Sequence, residues 1–164
     1  MTPKCGRKKT LGASHALSGE GSVWFERLEK YVASKKLNRS GTREKVLELA
    51  LLEREHFSAQ DLVRRASHKY PQLGSATIYR AIPVLLDAGI LKETLSLQDG
   101  TKLFEISEGA HHDHIVCVDC GAIFEFHDPV IEKAQEKLEK KLRFKGVSHR
   151  HVIYANCEYL QEKT

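Results

Sequence analysis

At Gly89 the apolar pattern of this chain changes from a helical period to strict alternation, and that switch limits the folds open to it. Upstream, Trp24, Leu28, Tyr31 and Val32 share one face of a helix expected from Val23 to near Lys36. Val46, Leu49 and Ala50 mark a second from about Thr42 to Leu52. The run FSAQDLVRRASHKYP predicts a third, with Ser58 as N-cap, Asp61 three residues on and Pro71 closing the segment. A fourth is expected in GSATIYRAIPVLLDAGIL, capped by Ser75, with Ile78, Ile82, Leu85 and Leu86 apolar. Pro83 removes a backbone donor there and is expected to bend or loosen the helix. Downstream, ILKETL and TKLFEIS flank SLQDG, whose Asp99-Gly100 pair is a hairpin-turn signal. Short helices followed by a two-stranded ribbon form a winged helix, in which the helix ahead of the ribbon enters the DNA major groove. On that helix Ser75, Thr77, Tyr79 and Arg80 are able to contact phosphates and base edges. The same spacing also fits an ordinary helical pair whose polar side faces water.

The rest of the chain is a small α+β unit from near Glu108. HDHIVCV and AIFEF read as strands around a Cys-x-x-Cys turn, an amphipathic helix follows from about Pro129 to Arg143 (Ile131, Ala134, Leu138, Leu142), and SHRHVIYANC returns as a strand. In a strand, successive side chains point to opposite faces. His112 and His114 therefore project one way and His111 and Asp113 the other, so one segment can serve two coordination spheres. Cys117 and Cys120 form a further ligand pair with zinc-knuckle spacing.

Composition narrows the setting. With 164 residues and 41% apolar content the chain can bury a core, and no run approaches the roughly 20 apolar residues of a membrane span. We therefore expect a cytoplasmic protein with no membrane partner, whose four cysteines are metal ligands or redox groups rather than a disulfide framework. The net charge is +4, and Lys4, Arg7, Lys8 and Lys9 concentrate it in residues 1–22. That segment reads as a flexible basic tail, either touching nucleic acid or merely solubilising, with Cys5 an incidental thiol.

The motifs SATIYRAIPVLLDAGIL, LFEI, HHDHIVCVDCGAIFEF and SHRHVIYANC, in that order, resemble the ferric uptake regulator family of metal-responsive transcription factors over roughly Phe25 to Cys157. The resemblance implies an α+β chain: an N-terminal winged-helix DNA-binding domain (23–107) and a small α/β dimerisation domain (108–164). It also implies a homodimer on a double-stranded DNA operator, and no small-molecule substrate. By the same resemblance, a sensing site would use His56, Glu105, His112, His114 and Glu125. A second site would use His111, Asp113, Glu132 and His149. The family's structural zinc often has two Cys-x-x-Cys pairs, but the last cysteine would fall at Leu160, leaving Cys117, Cys120 and Cys157 as an incomplete zinc(II) site or as packed thiols.

The sensing set holds nitrogen and oxygen donors only, which leans toward Fe(II), with Mn(II) or Zn(II) as surrogates. Glu125, where peroxide sensors tend to carry Asp, favours iron sensing. The function implied is a repressor of iron-uptake genes; a peroxide, zinc or manganese sensor of the same family is the alternative. Clustered His and Asp also build metal-dependent hydrolases. Here no nucleophile motif or substrate domain accompanies them, so we expect no enzyme. Nor does a thioredoxin-like βαβ pattern surround Cys117 and Cys120 to make a thiol redox protein.

Overall fold

The computed structural model describes residues 21–53, 56–97, 99–107 and 111–156. The chain divides into two compact units, which among these residues are 21–107 and 111–156. Cys5 and the basic segment before Gly21 lie outside the described residues.

The first unit opens with α1 (Gly21–Ser34), which takes in Gly21 and Ser22 of the expected tail. Trp24, Leu28 and Val32 are spaced four apart on one face and are buried. Helix α2 (Gly41–Leu51) buries Val46, Leu47, Leu49 and Ala50. Helix α3 (Ala59–Lys69) starts at a full capping box: the Asp61 N–H donates to Ser58 Oγ at 3.2 Å and the Ser58 N–H donates to Asp61 Oδ2 at 2.8 Å. That reciprocal bonding, with the Arg64 guanidinium alongside, holds the Asp61 carboxyl below its usual range against the opposing effect of burial.

Helix α4 (Ser75–Asp87) departs from the sequence reading in two ways. Its N-cap is Gly74, extended at φ −64° and ψ 148°, and Ser75 is the first helical residue, so Ser75 caps nothing. The Gly74 carbonyl already accepts from the Thr77 N–H at 3.0 Å. The helix also runs as one element through Pro83. Pro83 and Tyr79, one turn apart, are both exposed, so the position that lacks the backbone N–H is on the solvent side of the helix. The helix ends in a Schellman arrangement, with Ile90 N–H to Leu85 C=O and Gly89 N–H to Leu86 C=O, both 2.9 Å. Gly89 sits at φ +64°, where a Cβ would also meet Arg27 Nη2 at 3.1 Å.

Strands β2 (Leu91–Ser96) and β3 (Lys102–Ile106) form the expected hairpin, and β1 (Phe57–Ser58) adds a third strand in the order β1-β3-β2. Two residues are too short to show a period, which is why the sequence suggested only two strands. Phe57 pairs with Phe104 across the sheet, and both join Leu28, Leu49, Leu62, Ile78, Leu85 and Ile90 in one apolar core.

In the second unit, β4 (Asp113–Cys117) lies between β5 (Ile123–Phe126), antiparallel to it, and β6 (Val152–Ala155), parallel to it. Helix α5 (Pro129–Leu142) starts where the Asp128 carboxylate accepts from the Val130 N–H at 2.7 Å. It is amphipathic as anticipated, yet none of its residues is buried, and Leu138 and Leu142 are each 55% exposed. Among the described residues no helix is long and apolar enough to cross a membrane.

Replacing Gly89 by Ala forces a Cβ into the left-handed region, and we expect a loss of about 1–2 kcal/mol. It should appear as a lower urea midpoint at unchanged slope.

Candidate metal centres

Four donors converge in the second unit. His111 and Asp113 share one side of the chain at the start of β4, Glu132 comes from the first turn of α5, and His149 precedes β6. His111 Nε2 is 3.2 Å from Glu132 Oε1 and 3.3 Å from Asp113 Oδ1. His149 Nε2 is 3.6 Å and 3.8 Å from the same two oxygens. Each residue offers one ligand atom, and all four lie within 4.8 Å of one another. Donors about 2.1 Å from a tetrahedral ion stand roughly 3.4 Å apart, so the set is spaced for a small divalent cation.

Its electrostatics point the same way. Asp113 is 1% exposed, and both its oxygens, Glu132 Oε1 and His149 Nε2 are buried without a hydrogen-bond partner. Buried carboxylates without donors are costly. A cation among them would satisfy all three kinds of atom at once. Two residues outside the expected ligand sets border this one: Gln135 Nε2 is 2.6 Å from His149 Nδ1, and His151 Nδ1 is 3.9 Å from Asp113 Oδ2. Gln135 is signalled by its position one helical turn after Glu132, and His151 by its position two residues after His149.

The opposite side of β4 carries His112 and His114, with ring centroids 5.0 Å apart. His112 Nε2 is 3.9 Å from Glu125 Oε1, and Glu125 is the cross-strand partner of His114. In the first unit, His56 Nε2 meets Glu105 Oε2 at 2.8 Å, with both side chains nearly buried. Lys92 Nζ lies 2.6 Å from Glu105 Oε1. Lys92 has no motif of its own in the sequence; the hairpin register sets it directly across from Glu105.

Cys117, buried at the end of β4, and Cys120 bracket a turn closed by the Gly121 N–H on the Cys117 carbonyl at 2.8 Å. Burial pushes the Cys117 thiol up. Cys157, the expected third thiolate, lies outside the described residues.

Of the residues expected to contact DNA, Ser75, Tyr79 and Arg80 are exposed on α4 and Thr77 is half-buried. Their buried neighbours Ile78, Ala81 and Ile82 anchor the other side of that helix.

The buried, unpartnered Asp113 yields a direct expectation. The Asp113→Asn protein, measured in chelator, should be at least as stable to urea as the wild type. It should also lose this site's share of zinc stabilisation, about 2.7 kcal/mol when zinc is 100-fold above its dissociation constant.

Comparison with known proteins agrees with this architecture. The chain is 38% identical over 128 residues to the ferric uptake regulation protein of Neisseria meningitidis, covering 77% of this chain and 88% of that protein. Its fold matches the ferric uptake regulator of Helicobacter pylori, described as having three functional metal binding sites, with TM-score 0.76 and 28% identity over 86% of this chain and 93% of that one. It also matches the Francisella tularensis regulator with iron, with TM-score 0.66 and 28% identity over 76% and 95% of the two chains. The sequence model of the ferric uptake regulator family matches residues 34–154. A winged helix joined to a strand bearing metal-ligand donors, together with that match, makes this chain a member of the ferric uptake regulator family.

Proposed function

We propose that the chain is an Fe(II)-responsive DNA-binding repressor of iron-uptake genes, acting as a homodimer. The observation that carries this reading is the set of buried donors flanking β4, Asp113 above all, in a chain whose other unit presents an exposed helix ahead of a wing. Family membership supports the same reading. In it, His56 and Glu105 of the DNA-binding unit and His112, His114 and Glu125 of the other unit are ligands of one sensing ion. His111, Asp113, Glu132 and His149 are ligands of a second. A bound divalent cation supplies the positive charge on which imidazoles and carboxylates of both units can converge.

What the chain's own residues do follows from this. Glu105 is held on the wing by pairing with Lys92, so the wing and its carboxylate behave as one part. Ser75, Thr77, Tyr79 and Arg80 present hydroxyl and guanidinium donors to the DNA, Arg80 being suited to guanine or phosphate. Fixing the first unit against the second sets the separation of the two α4 helices in a dimer. A preference of about 3–4 kcal/mol for the DNA-competent arrangement raises its population several hundred-fold. By linkage, operator DNA tightens metal binding by the same factor.

The apolar surface left open on the second unit supports the homodimer. Val130, Leu138, Leu142 and Phe144 are exposed along and after α5, and Ile153 and Tyr154 are exposed on the edge strand β6. Their burial against a second copy follows from the preference of apolar surface to leave water. Leu138→Glu should shift the sedimenting species from dimer to monomer at micromolar concentration.

The central test uses operator DNA selected from random sequence by the Mn(II)-loaded protein. Binding should weaken at least about a hundred-fold in chelator, as the population argument requires, and His112→Ala should bind as weakly with metal as the wild type does without it. Equal affinity with and without metal would refute the reading. Arg80→Ala should cost about 1–3 kcal/mol of DNA affinity at full metal loading.

A further inference from the structure

We propose that Gln135 is a positioning residue for the second site: by turning its side-chain amide it decides which nitrogen of His149 carries the proton, and so whether Nε2 can ligate a cation. This rests on reading His111, Asp113, Glu132 and His149 as a metal site. Glu132 and Gln135 are three residues apart on α5 and so share a face. One turn of helix thus supplies both a ligand and the group that orients another ligand.

A neutral imidazole has one N–H and one acceptor nitrogen. Gln135 Nε2 stands 2.6 Å from His149 Nδ1. With the amide nitrogen as donor, Nδ1 accepts and the ring proton sits on Nε2. That nitrogen is buried and faces Glu132 Oε1 at 3.6 Å and Asp113 Oδ1 at 3.8 Å, with no hydrogen-bond partner. A protonated Nε2 has no lone pair to give to a metal. Ligation requires the opposite polarity, Nδ1–H donating to a carbonyl. A half-turn of the Gln135 amide provides it by exchanging nitrogen for oxygen at the same place. Glutamine is suited to both states. A carboxylate at 135 only accepts and so favours the ligating tautomer, whereas a methionine of similar length does neither.

The test uses the full chain and Zn(II) in chelator-competition titrations. His149→Ala first identifies the zinc-binding step belonging to this site. Gln135→Met should weaken that step about 10- to 100-fold, and Gln135→Glu should return it to wild-type strength or tighter. Nitrogen NMR of labelled histidine should show His149 protonated on Nε2 in chelator and on Nδ1 with zinc in the wild type, and on Nδ1 under both conditions in Gln135→Glu. The proposal is overturned if Gln135→Met binds within about two-fold of wild type, if Gln135→Glu stays as weak as Gln135→Met, or if the His149 tautomer does not change with zinc. Should His149→Ala remove no step, the metal-site reading fails and this inference with it. A step lost in His149→Ala but retained in Gln135→Met overturns the inference alone.

Discussion

The central place of β4 in its sheet is the constraint on which the convergence of the candidate metal donors depends. Hydrogen-bonded to β5 on one side and β6 on the other, the strand cannot rotate or slip without breaking two ladders. Its pleat then divides the donors. Asp113 faces Glu132 and His149, while His114 and its neighbour His112 face Glu125. Asp113 and His114 are both within a few per cent of full burial, so a carboxylate and an imidazole occupy positions that an ordinary sheet would give to valine or isoleucine.

That choice costs stability. A buried carboxylate that makes no hydrogen bond and has only imidazoles beside it is unfavourable, on the order of several kcal/mol, and apolar residues of similar volume would pack better. The cost is reasonable where a cation supplies what the fold omits. On the proposed reading, ion binding and local stability of the second unit are two views of one equilibrium.

The two units differ in how complete they are. The winged helix closes its own core around Leu28, Leu49, Phe57, Leu62, Ile78 and Leu85, so its reading helix is held by packing alone. The second unit leaves every residue of α5 unburied, and its most exposed large apolar side chains lie on and just after that helix. Apolar surface left open in this way gains stability when a partner covers it.

Much of this was legible in the residues because it is local. The capping box of α3, the Asp99-Gly100 turn and the four-residue spacing of Trp24, Leu28 and Val32 each act within one or two helical turns or one hairpin. The alternation that sets His112 apart from His111 is equally local. What the sequence did not yield depends on the backbone path and on packing. Ser75 looked like a cap, but the extended backbone at Gly74 had the role. Pro83 looked disruptive until its solvent-facing position was known. The two residues of β1 became a strand only by meeting Phe104 and Leu103, and Lys92 and Gln135 gained partners only through register and helix docking. The amino-acid order by itself determined the periods, the capping box of α3 and the types of donor available, since these follow from near neighbours along the chain. Tertiary structure alone decided which donors share a point in space and which of them lack any other partner, because burial and convergence are properties of packing.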